Sequence, residues 1–251
     1  MFSGIFMVFI MGFTSLGLEA SEGPGQTSVQ IVETKSWSEK WAKSDPDVLK
    51  QFSLLRESLQ QAVRDDKLSE ADLETIDRAV AYAAEKHASQ FRQNDKNTPY
   101  VVHPIGVANY VMKIGGVYDP DIIIGALLHD VMDGTNATYE EITVYFGTSV
   151  AGYVREMTDD PSLSIKERRK KQIINAFHQS KGATVIKLAD KLHNLHTLMK
   201  DPSKGWTPER LDNYFQWIQA VADNLPEVNG PLKEEMHKTI ANYWQGQEKS
   251  S

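Results

Sequence analysis

At 251 residues, with 41% hydrophobic and 24% charged side chains, the chain has a globular balance and the length for one well-buried core with short extensions. A formal charge of -7 and a pI near 5.5 exclude general nucleic-acid binding, which depends on a basic surface to meet the phosphate backbone. Cysteine is absent, which excludes disulfide scaffolds, thiolate metal sites and cysteine nucleophiles, so any metal must be held by nitrogen and oxygen.

In chain order, Phe2 to Leu18 is apolar or small and carries no charge, Leu18-Glu19-Ala20 roughly fits a small-x-small cleavage end, and the breaker Gly23-Pro24-Gly25 follows. This outlines a signal-peptide core, although no Lys or Arg precedes the apolar run. Export, an uncleaved anchor and a misassigned start codon all stay open for residues 1–20, and stable membrane insertion is expected only if the segment is uncleaved. Residues 21–43 are polar, contain Gly and Pro and read as a linker. A helical domain is expected over residues 44–247.

Ser44-Asp45-Pro46 opens its first helix, with Val48, Phe52, Leu55, Leu59 and Val63 at helical spacing behind it. Ser69 and Asp72 form a capping pair for a second helix, whose apolar stripe is Leu73, Ile76, Val80, Ala83, Ala84 and His87. His87, on that stripe, reads as a core histidine rather than a ligand. Pro104, Pro120, Pro208 and Pro231 each mark a first helical turn, and Thr138 with Glu141 and Ser164 with Glu167 read as capping boxes. No run combines β-branched residues with strict alternation, so the predicted fold class is all-α.

The chemistry lies between His103 and Asp130. One helix is predicted from Pro104 to about Ile114, closed by Gly115-Gly116, and a second from Asp119-Pro120 to about Asp133. If the two are antiparallel, His103 and the pair His129-Asp130 lie at similar rises from the turn, at ~1.5 Å per residue, and meet at one end. Adjacent helical residues point about 100° apart, yet near a helix end His129 and Asp130 can wedge around one ion from two sides. Asp190 sits in the apolar helix Val185-Ile186-Lys187-Leu188-Ala189-Asp190-Lys191-Leu192, which would carry its carboxylate inward at a cost a metal relieves. Two imidazoles and two carboxylates suit Mn, Fe or Zn, with open positions for water and a phosphate oxygen. Lys187 and Lys191 flank Asp190 at helical spacings as phosphate-binding candidates. Arg168-Arg169-Lys170-Lys171 reads as a solvated helix start, Trp206, Tyr214, Phe215 and Trp217 as core and lid packing, and Asp159 and Asp160 as closing a helix end or orienting a ligating histidine.

The series from His87 to Arg92, Thr98-Pro99-Tyr100-Val101-Val102-His103-Pro104, Ala126-Leu127-Leu128-His129-Asp130, Thr158-Asp159-Asp160 and Lys187-Leu188-Ala189-Asp190-Lys191-Leu192-His193-Asn194 resembles the RelA/SpoT-type HD hydrolases. It is especially similar to the small, stand-alone alarmone hydrolases of the metazoan SpoT-homologue type. The resemblance spans about residues 70 to 245 and includes Gly205-Trp206 and Tyr214-Phe215-Gln216-Trp217. It implies a compact helical bundle with a single metal site and a Mn-dependent enzyme, other divalent ions being compatible, that removes the 3′-pyrophosphate from guanosine tetra- and pentaphosphate. It further implies His103, His129, Asp130 and Asp190 as metal ligands, Arg92 on the nucleotide, Asn194 on its sugar, a small guanine nucleotide as partner and a cytoplasmic setting, which the signal-like N-terminus opposes.

One departure stands out. Where the family continues Thr-Val-Glu-Asp after His-Asp, this chain reads Val131-Met132-Asp133-Gly134. Asp133 is then the expected water-orienting base, acting directly or through one bridging water. Gly134 cannot take such a role and suits the end of a helix. The departure also keeps two alternatives open: an HD-type phosphatase acting on another nucleotide or a dinucleotide phosphate such as NADPH, and a nucleotide-binding module that no longer turns over.

Overall fold

The computed structural model describes residues 45–93 and 97–248. The signal-like segment 1–20 and the linker 21–43 lie outside the described residues.

Most helices start where a side chain takes up the first turn's unpaired N–H groups, as helix termini require. Asp45 accepts from the N–H of Asp47 (2.9 Å) and Val48 (3.1 Å) to open α1 (Pro46–Arg64). Reciprocal Ser69–Asp72 and Ser164–Glu167 boxes open α2 (Glu70–Lys86) and α7 (Ile165–Asn175). Asp119 caps α4 (Pro120–Leu128), Thr138 caps α5 (Tyr139–Phe146), Ser180 caps α8 (Lys181–Lys200) and Thr207 caps α9 (Pro208–Asn224). With α3 (Val102–Lys113), α6 (Thr148–Met157), α10 (Gly230–Glu248) and a 3-10 turn at Ala176–His178, these make an all-α fold. Among the described residues the extended pairing is limited to one isolated bridge between Phe91 and Pro99.

Two local expectations change. Thr138 accepts the Glu141 N–H at 3.1 Å, but the Glu141 carboxylate turns to Lys86 Nζ at 3.1 Å instead of closing a reciprocal box. Helix α4 ends at Leu128 rather than near Asp133, because the His129 ring Nδ1 lies 2.8 Å from the Ala126 carbonyl, the group that a continuing helix would offer to the Asp130 N–H. Tighter bonds follow, from Val131 N–H to Leu128 O and from Asp133 N–H to Asp130 O, both 3.0 Å. Gly134, at φ +83°, then turns the chain in a conformation that glycine adopts without a Cβ clash.

At the centre lies α8, buried continuously from Gly182 to His193, which is the pattern of a helix covered on all sides. Helices α3, α4 and α6 pack on it, α10 closes another side, and α1 lies against α3. This burial forces the polar residues of α3, α4 and α8 to meet one another. No helix among the described residues is long and apolar enough to cross a membrane.

Candidate metal centre

His103 lies in the first turn of α3, His129 caps the C-terminal end of α4, Asp130 follows it, and Asp190 sits midway along α8. The antiparallel α3–α4 hairpin brings the first three together, with one donor atom from each lying within 4.8 Å of the others. Asp190 completes the set: its Oδ1 is 3.2 Å from His103 Nε2 and 3.7 Å from His129 Nε2. Asp130 Oδ2 is 3.6 Å from His103 Nε2 and 3.1 Å from His129 Nε2. All four predicted donors therefore converge.

The donor set fits a divalent cation. His129 is fully buried, its Nδ1 is fixed on the Ala126 carbonyl, and its Nε2 points between two carboxylates without meeting the geometry of a hydrogen bond to either. Its close approach to Asp130 is thus Coulombic. An imidazole nitrogen left in that position among carboxylates is the arrangement that a borderline cation satisfies. Tyr100 donates its hydroxyl to Asp130 Oδ2 at 2.6 Å, and Asn194 donates to Asp190 Oδ1 at 2.7 Å, so both carboxylates are oriented by neighbours.

The electrostatics of the two histidines differ. Burial, with the Arg92 charge, depresses His103 to about 4. Burial opposes charge on His129 as well, but the attraction of Asp130 and Asp190 outweighs it and lifts this ring to about 10. Burial also works against ionisation of Asp130 and Asp190, yet the surrounding cationic groups hold both below the usual carboxylate range, His129 for Asp130 and Lys191 first for Asp190.

The predicted substrate-contacting residues separate. Arg92 and Asn194 meet at the rim, Arg92 Nη2 donating to Asn194 Oδ1 at 3.0 Å, with the guanidinium over the Tyr100 ring. Lys191 joins the centre, its Nζ 3.1 Å from Asp190 Oδ2 and over the Trp217 ring. Lys187 faces elsewhere: it is only 4% exposed and lines a cleft of about 380 Å³ with Glu156, Asp159 and Gln172. Burial and the charge of Lys191 lower its ammonium to about 8. Asp133 lies in the turn after α4, its N–H donating to the Asp130 carbonyl at 3.0 Å. Partial burial and the like charges of Asp130 and Asp159 raise it to about 6, although the residue as a whole is exposed.

Other sequence expectations shift with the packing. The Asp159 carboxylate accepts from the Gln172 amide at 3.0 and 2.8 Å and orients no histidine, while Asp160 caps Ser162. His87 is buried with Nδ1 2.8 Å from Gln90 Oε1, but its Nε2 has no hydrogen-bond partner. Arg169, expected in solvent, lies over the Trp217 and Tyr214 rings on the Lys191 side of the centre. Tyr100 and His193 were not singled out by spacing; His193 Nδ1 is 3.0 Å from His103 Nδ1. Each stands three residues from a ligand, Tyr100 before His103 and His193 after Asp190, which is the one signal in the sequence that points to them.

The family model for the HD domain matches residues 79–212. The guanosine-3′,5′-bis(diphosphate) 3′-pyrophosphohydrolase MESH1 of Xenopus tropicalis is 42% identical over 163 residues, covering 65% of this chain and 91% of that protein. Its counterpart in Drosophila melanogaster is 45% identical over 154 residues, covering 61% and 86%. A solved structure described as a metazoan orthologue of SpoT that hydrolyses ppGpp and plays a role in starvation responses matches with a TM-score of 0.66 at 41% identity, covering 67% of this chain and 95% of that one. With the HD motif residues brought together at one buried centre and this likeness over most of the relatives' length, the chain belongs to the HD-domain family, in its small stand-alone branch with the metazoan SpoT homologues.

Proposed function

We propose that the protein is a metal-dependent hydrolase, with Mn2+ as its working ion, that removes the 3′-pyrophosphate from guanosine tetra- and pentaphosphate. The observation that carries this reading is the convergence of two imidazoles and two carboxylates, with His129 Nε2 buried and unbonded among them. The relatives' named activity supports the choice of substrate.

In this reading His103, His129, Asp130 and Asp190 hold the cation. When bound, such an ion supplies Lewis acidity, polarising a phosphoryl oxygen and making water more acidic at neutral pH. Asp133, ionised above about pH 6, accepts the proton of the attacking water. The water oxygen bonds to the phosphorus nearest the ribose, the bond from that phosphorus to O3′ breaks, and O3′ leaves with a proton. A nucleoside diphosphate or triphosphate and pyrophosphate result. Arg92, Lys191 and Arg169 meet phosphate charge, Asn194 meets the sugar, and Lys187 contributes its charge from the adjoining cleft.

Hydrolysis of guanosine tetraphosphate by the purified chain with Mn2+ present tests the proposal, with His129→Ala as control. Pyrophosphate release by the wild type and none by the variant is expected; equal rates would remove the metal centre from the reaction. A second reading is favoured by Gly134 in place of the family's second acid: a phosphatase of another nucleotide or a dinucleotide phosphate. Orthophosphate instead of pyrophosphate release across a nucleotide panel distinguishes it. N-terminal sequencing of the mature protein tests whether residues 1–20 are removed, which bears on the compartment and hence on the available substrate.

A further inference from the structure

The first metal-binding histidine rests on a second histidine. His103 and His193 face each other through their Nδ1 atoms at 3.0 Å, and both rings are almost fully enclosed, at 1% and 7% exposure. Two neutral imidazole nitrogens at that distance share one proton, so one ring donates and the other accepts. We propose that His193 is a positioning residue of the metal centre: it accepts the Nδ1 proton of His103 and thereby leaves the His103 Nε2 lone pair for the cation. The inference rests on the metal-centre reading above.

The local geometry is built around this contact. His193 is three residues beyond Asp190 on α8, and its ring lies directly against Gly106, three residues beyond His103 on α3. A Cβ at Gly106 would sit 2.1 Å from His193 Nε2 and 2.6 Å from its Cδ2, so the ring occupies the space any other residue would fill. Glycine is among the least favourable residues for a helix interior. Here it opens a notch one turn from the ligand, on the same helix face. The Tyr110 ring, 5.3 Å away, closes the pocket.

His129 has a fixed acceptor, the Ala126 carbonyl, whereas an imidazole can exchange roles. With its proton on Nε2, His103 would donate to Asp190 Oδ1, 3.2 Å away, and would accept at Nδ1 from His193 Nδ1. With Nε2 given to a cation, His103 would carry its proton at Nδ1, donating to His193 Nδ1, and His193 would carry its own at Nε2. The two rings together keep their proton number, so the switch adds no charge to a buried site.

Mn2+ titration calorimetry on the full chain tests this. His193→Phe retains the ring and its packing but offers no acceptor, and it is expected to bind ~10–100-fold more weakly, the range of lost orienting partners. His193→Asn places Oδ1 where Nδ1 stood and is expected to bind within about threefold of the wild type. Mn2+ affinity unchanged in the folded His193→Phe protein, or His193→Asn as weak as it, would overturn the proposal. A wild-type measurement needs no variant: with diamagnetic Zn2+, long-range 15N–1H correlations should show His103 protonated at Nδ1 and His193 at Nε2. His193 protonated at Nδ1 in that spectrum would overturn it as well. Failure of the wild type to bind either ion would instead overturn the metal centre itself, and the inference with it.

Discussion

Cation binding should displace one proton, and the structure says from which ring. His129 is held at about 10 because the Asp130 and Asp190 charges outweigh its burial, so in the cation-free protein it is protonated at pH 7. A ligating imidazole must be neutral, and its proton has to leave. His103, depressed to about 4, is already neutral, and both carboxylates are already ionised. The total is about one proton per ion. The sign follows: as pH rises from 7 towards 10, competition by the His129 proton weakens, and Mn2+ affinity should rise about tenfold per pH unit, then level off above the His129 value. Titration calorimetry at pH 7 in buffers of different ionisation enthalpy reads the proton number as a slope. A slope near zero would mean that His129 is neutral before binding. A slope near two would mean that His103 is charged as well, and either result would refute the electrostatic asymmetry between the two rings.

Asp133→Asn should cut turnover by at least ~100-fold, the scale of a lost general base, while Mn2+ content by elemental analysis stays at the wild-type level. Because Asp133 is raised to about 6 and must be ionised to accept a proton, the wild-type rate should fall on an acid limb at or below that pH, a nearby cation drawing it lower, and this limb should be absent in the variant. Arg92→Ala, removing a rim cation hydrogen-bonded to Asn194, should raise KM more than it lowers kcat in steady-state assays. Phe215→Ala empties a fully buried position stacked 3.7 Å from Tyr243 and should cost ~3–5 kcal/mol in urea unfolding with Mn2+ affinity preserved.

Much of this architecture was legible because it is written in local chemistry. Pro46, Pro120 and Pro208 sit at first helical turns, and Ser69–Asp72 and Ser164–Glu167 close the boxes their spacing predicts. The convergence of His103 with His129 and Asp130 follows from equal rises along a hairpin, and the inward carboxylate of Asp190 follows from the apolar residues around it. What escaped depends on long-range placement. No periodicity says that Glu141 prefers Lys86 to its own helix start, that Arg169 will lie on Trp217, or that the Lys187 side chain will turn into a cleft while Lys191, four residues on, pairs with Asp190. The end of α4 escaped for a different reason: a histidine ring competing for the Ala126 carbonyl stops the helix, and helix-propensity reasoning counts only backbone partners.

Gly134 gains a physical meaning from the charges around Asp133. Asp133 already has Asp130 and Asp159 as like-charged neighbours, and with partial burial they hold it at about 6, so it is mostly ionised at pH 7. A further carboxylate at position 134 would add to that repulsion and push Asp133 higher, towards a protonated acid that cannot accept a proton. The glycine removes this charge, and its backbone at φ +83°, with its carbonyl accepting from Gln90 Nε2 at 2.7 Å, suits the sharp turn after the shortened α4. A shorter acid without a further carboxylate at position 134 thus keeps the charge state that a base needs. What it gives up is reach, because aspartate brings its oxygens one methylene less far towards the centre than glutamate would.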